Sequence, residues 1–336
     1  MIEFLEIVFS LAPVFLFLAA LIVLDSYKLV AVTSVLRTIL FGCLAAVLCL
    51  FINARLSSAL PFDLSLYSRY VSPAIEELAK GVFIIFLLQT KRVGFLVDGA
   101  IYGFALGAGF AFVENIYYLL SIQGSNLLLW LIRGFGTAVM HGGTTAGFAI
   151  LSKSLSERNP SKKGVTLLPG LLAAFLIHSF FNHFFISPLM TTVTQLIALP
   201  VLVVVLFTRS EKSLQDWLEI GMDTDVNLLD SIVTGHISET KTGIYLQSLK
   251  SRFPGATVAD MLCFLRLHLE LAIRAKGMLI MRGAGFRTDA VPDIGEKFAE
   301  MEFLEKAIGR TGTLAMSPIL RTHARDLWQM YLLDKK

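Results

Sequence analysis

Two adjacent carboxylates and a lysine lie at the start of an apolar stretch, in the segment "SPAIEELAKGVFIIFLLQ". Charged side chains are costly inside a membrane, and those that occur there usually mark a functional site. Glu76 and Lys80 are spaced i, i+4 and share a helix face. Glu77 points about 100° away from Glu76, so one carboxylate can face a water molecule while the other holds a different partner.

Polar groups of the same kind interrupt three later apolar stretches. Glu114 lies in "GFAFVENIYYLL", His141 in "VMHGGTTAGF", and both His178 and Asn182 in "LIHSFFNHFF". The i, i+4 spacing puts His178 and Asn182 on one helix face. These groups lie at similar depths, mostly in the half of their stretches that is predicted to face outward. Carboxylates and imidazoles can activate a water molecule, so the set predicts a hydrolytic site.

A zinc-dependent mechanism is one hypothesis for this site. Glu114, His141 and His178 can supply three ligands to Zn²⁺ and leave the fourth position to water. Glu76 or Glu77 then acts as the general base.

A metal-free mechanism uses the same residues. In it a glutamate activates water directly, while His178 and Asn182 bind the oxyanion. Asn182 can polarise the carbonyl in either mechanism. Lys80 limits the cost of the buried negative charge, and Arg133 either extends to the membrane surface or holds a carboxylate or a substrate carbonyl. No HExxH-type motif decides between the two mechanisms.

The elements that must position these residues are membrane helices. Of the 336 residues, 55% are hydrophobic and 16% are charged, and the mean hydropathy is +0.69. A soluble domain has roughly a quarter charged residues, so the composition predicts an all-α, polytopic membrane bundle. A span needs roughly 20 apolar residues. Seven stretches qualify: 4–24, 31–52, 71–90, 95–121, 127–151, 166–186 and 188–208.

Basic residues in the loops predict the orientation. They follow the first, third, fifth and seventh stretches and include Lys28, Lys91, Lys162 and Lys212. The positive-inside rule therefore places the N-terminus outside and the C-terminus in the cytoplasm. The formal net charge is only +3, and no basic run is interleaved with aromatic residues, which excludes nucleic acid as an expected partner. The expected surroundings are a lipid bilayer.

The composition divides the chain into two predicted domains. Residues 1–209 form a transmembrane domain with a core at 70–186, and residues 210–336 form a charged, amphipathic, soluble helical domain in the cytoplasm. No motif in the second domain indicates its partner. Its apolar spacing predicts helices. They lie at 211–220, 241–252, 257–277, 295–309 and 316–333.

A glycine stripe precedes Glu114 in the fourth stretch. Gly99, Gly103 and Gly107 are four residues apart, and small residues at that spacing allow close approach of helices. Phe110 and Glu114 continue the same face. The stripe therefore predicts that Glu114 points into the bundle.

The ordered motifs resemble those of the PrsW family of intramembrane proteases, distant relatives of the CaaX-processing and bacteriocin-immunity proteases. The resemblance rests on "EELAK" at 76–80, "FAFVE" at 110–114 and "HSFFN" at 178–182. The segment "RGFGTAVMHGGTTAG" at 133–147 is also similar, and the whole resemblance covers roughly residues 70–186. Each motif is weak alone, whereas their order on successive spans is fairly specific.

This resemblance implies cleavage of a membrane-anchored protein near its extracytoplasmic face, for example an anti-sigma-factor-like regulator. It also implies a multi-pass protein of a bacterial cytoplasmic membrane. The chain departs from the CaaX-processing relatives, which carry His where it has Glu114, so their metal-free mechanism does not transfer directly. Some family members carry Asp where this chain has Asn182.

Two other functional classes compete with a protease. A proton-coupled secondary transporter would use the buried Glu and His side chains as a relay. The sequence shows no inverted repeat and no matched pair of interrupted spans, which such carriers often have. A signalling receptor would need no catalytic cluster and would tolerate substitution of Glu76 and Glu77.

Overall fold

A computed structural model describes residues 2–25, 30–90, 92–122, 127–158, 164–286 and 293–320. These residues are almost entirely helical and include no β-strand, which confirms the predicted all-α class. The chain divides into two compact units, Met1–Ser210 and Glu211–Lys336. The catalytic and cytoplasmic roles predicted for the two parts of the chain stay predictions.

The first unit is a helical bundle with two π-helical turns. The turns are Tyr67–Val71, directly before the fourth helix, and Arg133–Thr137, directly before the seventh. The helices are α1 Ile2–Leu24, α2 Val32–Ala59, α3 Leu64–Leu66, α4 Ser72–Gln89, α5 Leu96–Ser121, α6 Leu127–Ile132, α7 Ala138–Arg158, α8 Leu168–His183 and α9 Pro188–Val233.

Within the described residues, five segments are long and apolar enough to cross a membrane. They are Phe4–Leu24, Val32–Ala59, Leu96–Ser121, Val165–His183 and Pro188–Arg209. The other two predicted spans correspond to α4 and to the α6–α7 region, which carry site residues among their polar side chains. The count of seven spans therefore stays a prediction.

The central element of the bundle is α5, which is buried along most of its length and packs against α1, α2 and α7. A Cβ atom on Gly107 would lie 2.3 Å from the carbonyl oxygen of His141, and one on Gly103 would lie 2.6 Å from Cα of Ala146. The predicted close packing is confirmed at these two glycines. At Gly99 an added Cβ would make only ordinary contacts, the nearest at 3.5 Å.

The opposite face of α5 approaches α2 equally closely. A Cβ atom on Gly42 would lie 2.1 Å from the carbonyl oxygen of Leu106, and one on Gly109 would lie 2.1 Å from that of Ile39. Backbone contact on both sides leaves α5 little room to rotate or slide. The glycines thus fix the relative positions of α2, α5 and α7.

The described residues of the second unit include the end of α9 and three further α-helices, α10 Lys241–Leu249, α11 Gly255–Gly283 and α12 Ile294–Met316. Three predicted helices correspond to α10, α11 and α12. The predicted helix 211–220 is not a separate element, because α9 is continuous through it. Most of the predicted helix 316–333 lies outside the described residues. The described part of α12 is kinked at Gly309, where φ is 70°.

The core of the second unit is apolar, but a polar group is buried beside α11. Met261, Leu265 and Leu271 are fully buried in that core. Nζ of Lys276 lies 2.6 Å from Oδ2 of Asp225. Burial lowers the pKa of His268 below its ordinary value of 6.5, an effect that Asp225 opposes and Lys276 reinforces.

Candidate active site

Six ionisable side chains from four helices converge at one end of the first unit. They lie near the start of α4 and towards the ends of α5 and α8, with α7 beside them. Close packing of α5 on α7 brings two of the six together, and α4 and α8 add the others. The six are Glu76, Glu77, Lys80, Glu114, His141 and His178.

Three of these side chains could hold a metal ion. The ligand atoms of Glu76, His141 and His178 all lie within 4.8 Å of one another. Nε2 of His178 is 3.8 Å from Oε2 of Glu76. Two imidazoles and one carboxylate form a known ligand set of catalytic zinc, which leaves a position for water. The chemistry and proximity of these donors therefore fit a zinc ion, which would replace the ammonium of Lys80 as the partner of Nδ1 of His141.

Each histidine also contacts a carboxylate through one of its ring nitrogens. Nδ1 of His178 lies 2.8 Å from Oε1 of Glu77, and Nε2 of His141 lies 2.7 Å from Oε2 of Glu114. Metal-binding histidines usually donate their second N–H to a carboxylate or a carbonyl, which fixes the tautomer and the ring orientation.

The structure groups the carboxylates differently from the predicted ligand set. It brings Glu76 next to the two histidines, where the sequence predicted Glu114 as the third ligand. Glu114 instead directs its oxygens at His141 and Arg133. The difference arises because the rotation of α5 against α7 decides which group Glu114 meets.

Lys80 pairs with Glu77 and not with Glu76, although the sequence put Lys80 and Glu76 on one face. Its Nζ lies 2.5 Å from Oε1 of Glu77 and 3.1 Å from Nδ1 of His141. It also lies 4.8 Å from the ring centroid of Phe110. The side chains of Lys80 and Glu77 are 1% and 2% exposed, so the buried charges depend on each other.

Arg133 begins the second π-helical turn and lies beside Glu114. Its Nη2 is 3.5 Å from Oε1 of Glu114, and its Cζ is 3.7 Å from the ring centroid of Tyr118. Nε and Nη2 of Arg133 are buried without a hydrogen-bond partner among the described residues. Nη2 thus has only the ion pair with Glu114, Nε is a donor without a hydrogen-bond acceptor among these residues, and the side chain does not extend to the surface. Such π-helical turns are frequent at functional sites.

Asn182 is not brought into the cluster. Its Nδ2 donates to the carbonyl of Ser68, at 2.9 Å, and the hydroxyl of Ser179 donates to the carbonyl of Arg69, at 2.7 Å. Both carbonyls belong to the first π-helical turn. Asn182 thus ties α8 to the segment that leads into α4, and its catalytic role stays a prediction.

Three residues that the sequence did not single out surround Glu76. Ser72 lies one turn before Glu76, and Asn53 and Tyr67 complete a hydrogen-bonded group with it. Asn53 is a lone amide in the apolar segment "LFINAR", which is the signal that marks it in the sequence. Ser72 was detectable from its i−4 spacing, whereas the contact of Asn53 with Glu76 depends on how α2 packs.

The fold and the site together define a class, a helical membrane protein whose buried carboxylates and histidines suit metal-assisted hydrolysis. The sequence profile of the PrsW family intramembrane metalloproteases matches residues 31–208, more than half of the chain. The chain belongs to this family, which confirms the predicted resemblance.

Two curated relatives illustrate the similarity. Protease PrsW of Oceanobacillus iheyensis is 28% identical over 152 residues, which cover 44% of this chain and 68% of that protein. Protease PrsW of Clostridioides difficile is 32% identical over 126 residues, which cover 36% of this chain and 52% of that protein. The chain thus spans about half the length of the second relative. No solved structure matches the chain.

Proposed function

We propose that this protein hydrolyses a peptide bond of a membrane-anchored protein, and that Glu76, His141 and His178 hold a zinc ion for this reaction. The observation that carries the proposal is the convergence of these three side chains, whose ligand atoms lie within 4.8 Å of one another. A zinc ion bound there would polarise the scissile carbonyl and acidify a water molecule.

Glu77 and Lys80 are assigned to positioning. Glu77 accepts from Nδ1 of His178 and so leaves Nε2 on the side of Glu76. Lys80 compensates the charge of Glu77 in a region almost free of solvent. The side chain of Glu77 is only 2% exposed, so Glu77 is poorly placed to take a proton from water.

Glu114 is assigned as the general base and Arg133 as the group that binds the substrate carbonyl. The side chain of Glu114 is 19% exposed, compared with 13% for Glu76 and 2% for Glu77. Arg133 lies next to it: Nη2 is 3.5 Å from Oε1 of Glu114, and neither Nη2 nor Nε makes a hydrogen bond within the described residues. Buried donors without a partner suit a carbonyl oxygen that gains negative charge during attack by water.

The substrate is proposed to be a single-span protein with an extracytoplasmic segment, such as an anti-sigma-factor-like regulator in a bacterial cytoplasmic membrane. Glu114 lies about 10 Å before the end of α5, at a rise of about 1.5 Å per residue. Under the positive-inside orientation this end of the bundle faces outward. Cleavage is therefore expected close to the extracytoplasmic surface of the cytoplasmic membrane.

The direct test measures zinc content and cleavage on the same samples. The purified full-length protein is incubated in liposomes with a panel of single-span proteins, with and without a chelator, and zinc is then restored. We expect Glu76→Gln and His178→Ala to lose both stoichiometric zinc and cleavage. Glu157→Gln, at the far end of α7, is the matched control and should keep both.

Two outcomes would contradict parts of the proposal. Cleavage by a protein from which all transition metal has been removed would exclude zinc and leave a glutamate-type mechanism. Full cleavage by a folded Glu76→Gln/His178→Ala double variant would exclude this site as the catalytic centre, whereas a wild-type protein that cleaves no member of the panel would favour the transporter hypothesis.

A further inference from the structure

A directed chain of hydrogen bonds ends on the carboxylate of Glu76. The hydroxyl of Tyr67 donates to Oδ1 of Asn53 at 2.9 Å, and Nδ2 of Asn53 donates to Oγ of Ser72 at 2.8 Å. Oγ of Ser72 donates to Oε1 of Glu76 at 2.6 Å, and Nδ2 of Asn53 lies 3.3 Å from the same oxygen. None of the three donors belongs to the motifs that carry the family resemblance.

We propose that Asn53, together with Tyr67 and Ser72, is a positioning residue that holds Glu76 with Oε1 engaged and Oε2 directed at His178. This inference rests on the proposed role of Glu76 as a metal ligand. It assigns a part in the site to α2, a helix that contributes none of the predicted site residues.

The chemistry of the three groups fixes the direction of the chain. Oδ1 of Asn53 can only accept, so the hydroxyl of Tyr67 orients the amide and turns Nδ2 towards Ser72. The hydroxyl of Ser72 has one proton. Because its oxygen accepts from Asn53, that proton is free for Glu76. Oε1 thus receives two donors, and the donors define one orientation of the carboxylate.

Three rigid elements bring these groups together. Asn53 lies on α2, which is held against α5 by the backbone contacts at Gly42 and Gly109. Tyr67 is the first residue of the π-helical turn and is 6% exposed, and Ser72 is the first residue of α4. A rotation of α2 would therefore break the chain even though every residue remained present.

The consequence is a glutamate that is ordered before any metal arrives. A free glutamate side chain loses rotamer freedom when it binds a metal, and the hydrogen bonds have already removed that freedom. Residues that orient metal ligands typically change metal affinity by about 10- to 100-fold when they are substituted. We expect an effect of this size when the donor of Asn53 is removed.

The test measures the affinity of the full-length protein for Zn²⁺ by competition with a fluorescent chelator, without substrate. Asn53→Asp keeps the size of the side chain and the acceptor for Tyr67, but it replaces the donor with an oxygen. Ser72→Ala removes the hydroxyl, whereas Ser72→Thr restores it. We expect about 10- to 100-fold weaker binding for Asn53→Asp and Ser72→Ala, and near-normal binding for Ser72→Thr.

The control is Thr38→Val in the same helix. The hydroxyl of Thr38 donates to the carbonyl of Ser34 at 2.8 Å, a bond within α2 that does not involve the site. This variant should bind Zn²⁺ normally. Visible spectra of the Co²⁺-loaded proteins provide a second readout, because a displaced carboxylate changes the ligand field.

The outcomes separate this inference from the proposed function. If Glu76→Gln binds Zn²⁺ normally, the assignment of Glu76 as a ligand fails. If Glu76→Gln loses binding while Asn53→Asp and Ser72→Ala keep both affinity and Co²⁺ spectrum, the positioning role is overturned. Should Asn53→Asp not fold, Tyr67→Phe decides: it removes one oxygen and should weaken Zn²⁺ binding, and unchanged binding would contradict the proposal.

Discussion

His178 and Glu77 lie 101 positions apart in the chain, yet Nδ1 of the imidazole is 2.8 Å from Oε1 of the carboxylate. Lys80 contacts the same oxygen. Glu77 is thus engaged by two neighbours in the interior of the bundle. Both contacts are made by one oxygen, and the side chain is only 2% exposed, which distinguishes Glu77 from the more exposed Glu76 and Glu114 and leads to different expectations for each.

Glu114→Gln should lower kcat and leave bound zinc in place. Glutamine keeps the shape and can still accept a hydrogen bond from His141, but it cannot take a proton from water. Loss of a general base typically lowers the rate by about 10²- to 10⁴-fold. Zinc content and single-turnover rates on the same sample check this. Loss of zinc in this variant would instead support the ligand set Glu114, His141 and His178 that the sequence predicted.

Lys80→Met should destabilise the first unit, because it leaves the carboxylate of Glu77 buried without its cation. Removal of one partner from a buried pair typically costs about 3–5 kcal/mol. The Lys80→Met/Glu77→Gln double variant should recover part of that loss. Unfolding in mixed micelles measures the free energy of unfolding of the wild-type protein, the single variant and the double variant. Lys306→Met, which breaks an exposed pair with Glu302, should leave stability unchanged, and equal losses in both single variants would contradict a special role for the buried pair.

Gly107→Ala should reduce both stability and activity. The new methyl group would lie 2.3 Å from the carbonyl oxygen of His141, so α5 and α7 must separate and the imidazole must move. Overpacking of this kind typically costs about 1–3 kcal/mol. Gly147→Ala on α7 is the matched control, because a Cβ there meets nothing within 4 Å. Thermal unfolding and cleavage rates are measured for both variants. Unchanged stability and activity in Gly107→Ala would show that this close contact is not needed.

The second unit should lose stability in mild acid because of His268. Its pKa is lowered by burial, so below its ordinary value of 6.5 the unfolded state takes up a proton that the folded state resists. The free energy of unfolding should therefore fall as the pH decreases from 6.5, and it should be independent of this group above that value. Hydrogen exchange in α11 at pH 7.5 and 5.5, corrected for intrinsic rates, measures the change.

The control for this pH effect is a second histidine in the same unit. His268→Leu should abolish most of the acid sensitivity of α11, whereas substitution of the exposed His236 should not. If the pH dependence were unchanged in His268→Leu, the loss of stability in acid would arise from other groups.

Reporter fusions should place residue 162 and Lys212 in the cytoplasm and residue 62 outside. This expectation follows from the excess of basic residues in alternate loops. Fusions at the three positions in the full-length chain test it. If a reporter at Lys212 were found outside, the predicted orientation would be wrong, and the site would lie near the cytoplasmic face of the membrane.

Local patterns in the sequence determined the helical membrane class, the family, and most of the residues that meet at the site. Hydropathy and i, i+4 spacing are properties of short segments, and they do not depend on how the rest of the chain folds. The glycine spacing likewise predicted the close contact of α5, since a missing side chain permits approach regardless of the partner. The predicted set missed Asn53, Tyr67 and Ser72.

Only the tertiary structure decided which carboxylate meets which histidine. Lys80 was equally able to face Glu76 at i−4 or Glu77 at i−3, and the packing of α4 against α7 and α8 selected Glu77. The grouping of Glu76 with His141 and His178, and the reach of Asn53 across from α2, depend in the same way on rotation and crossing of helices. Those angles are set by backbone contacts between segments far apart in the chain, and no local spacing encodes them.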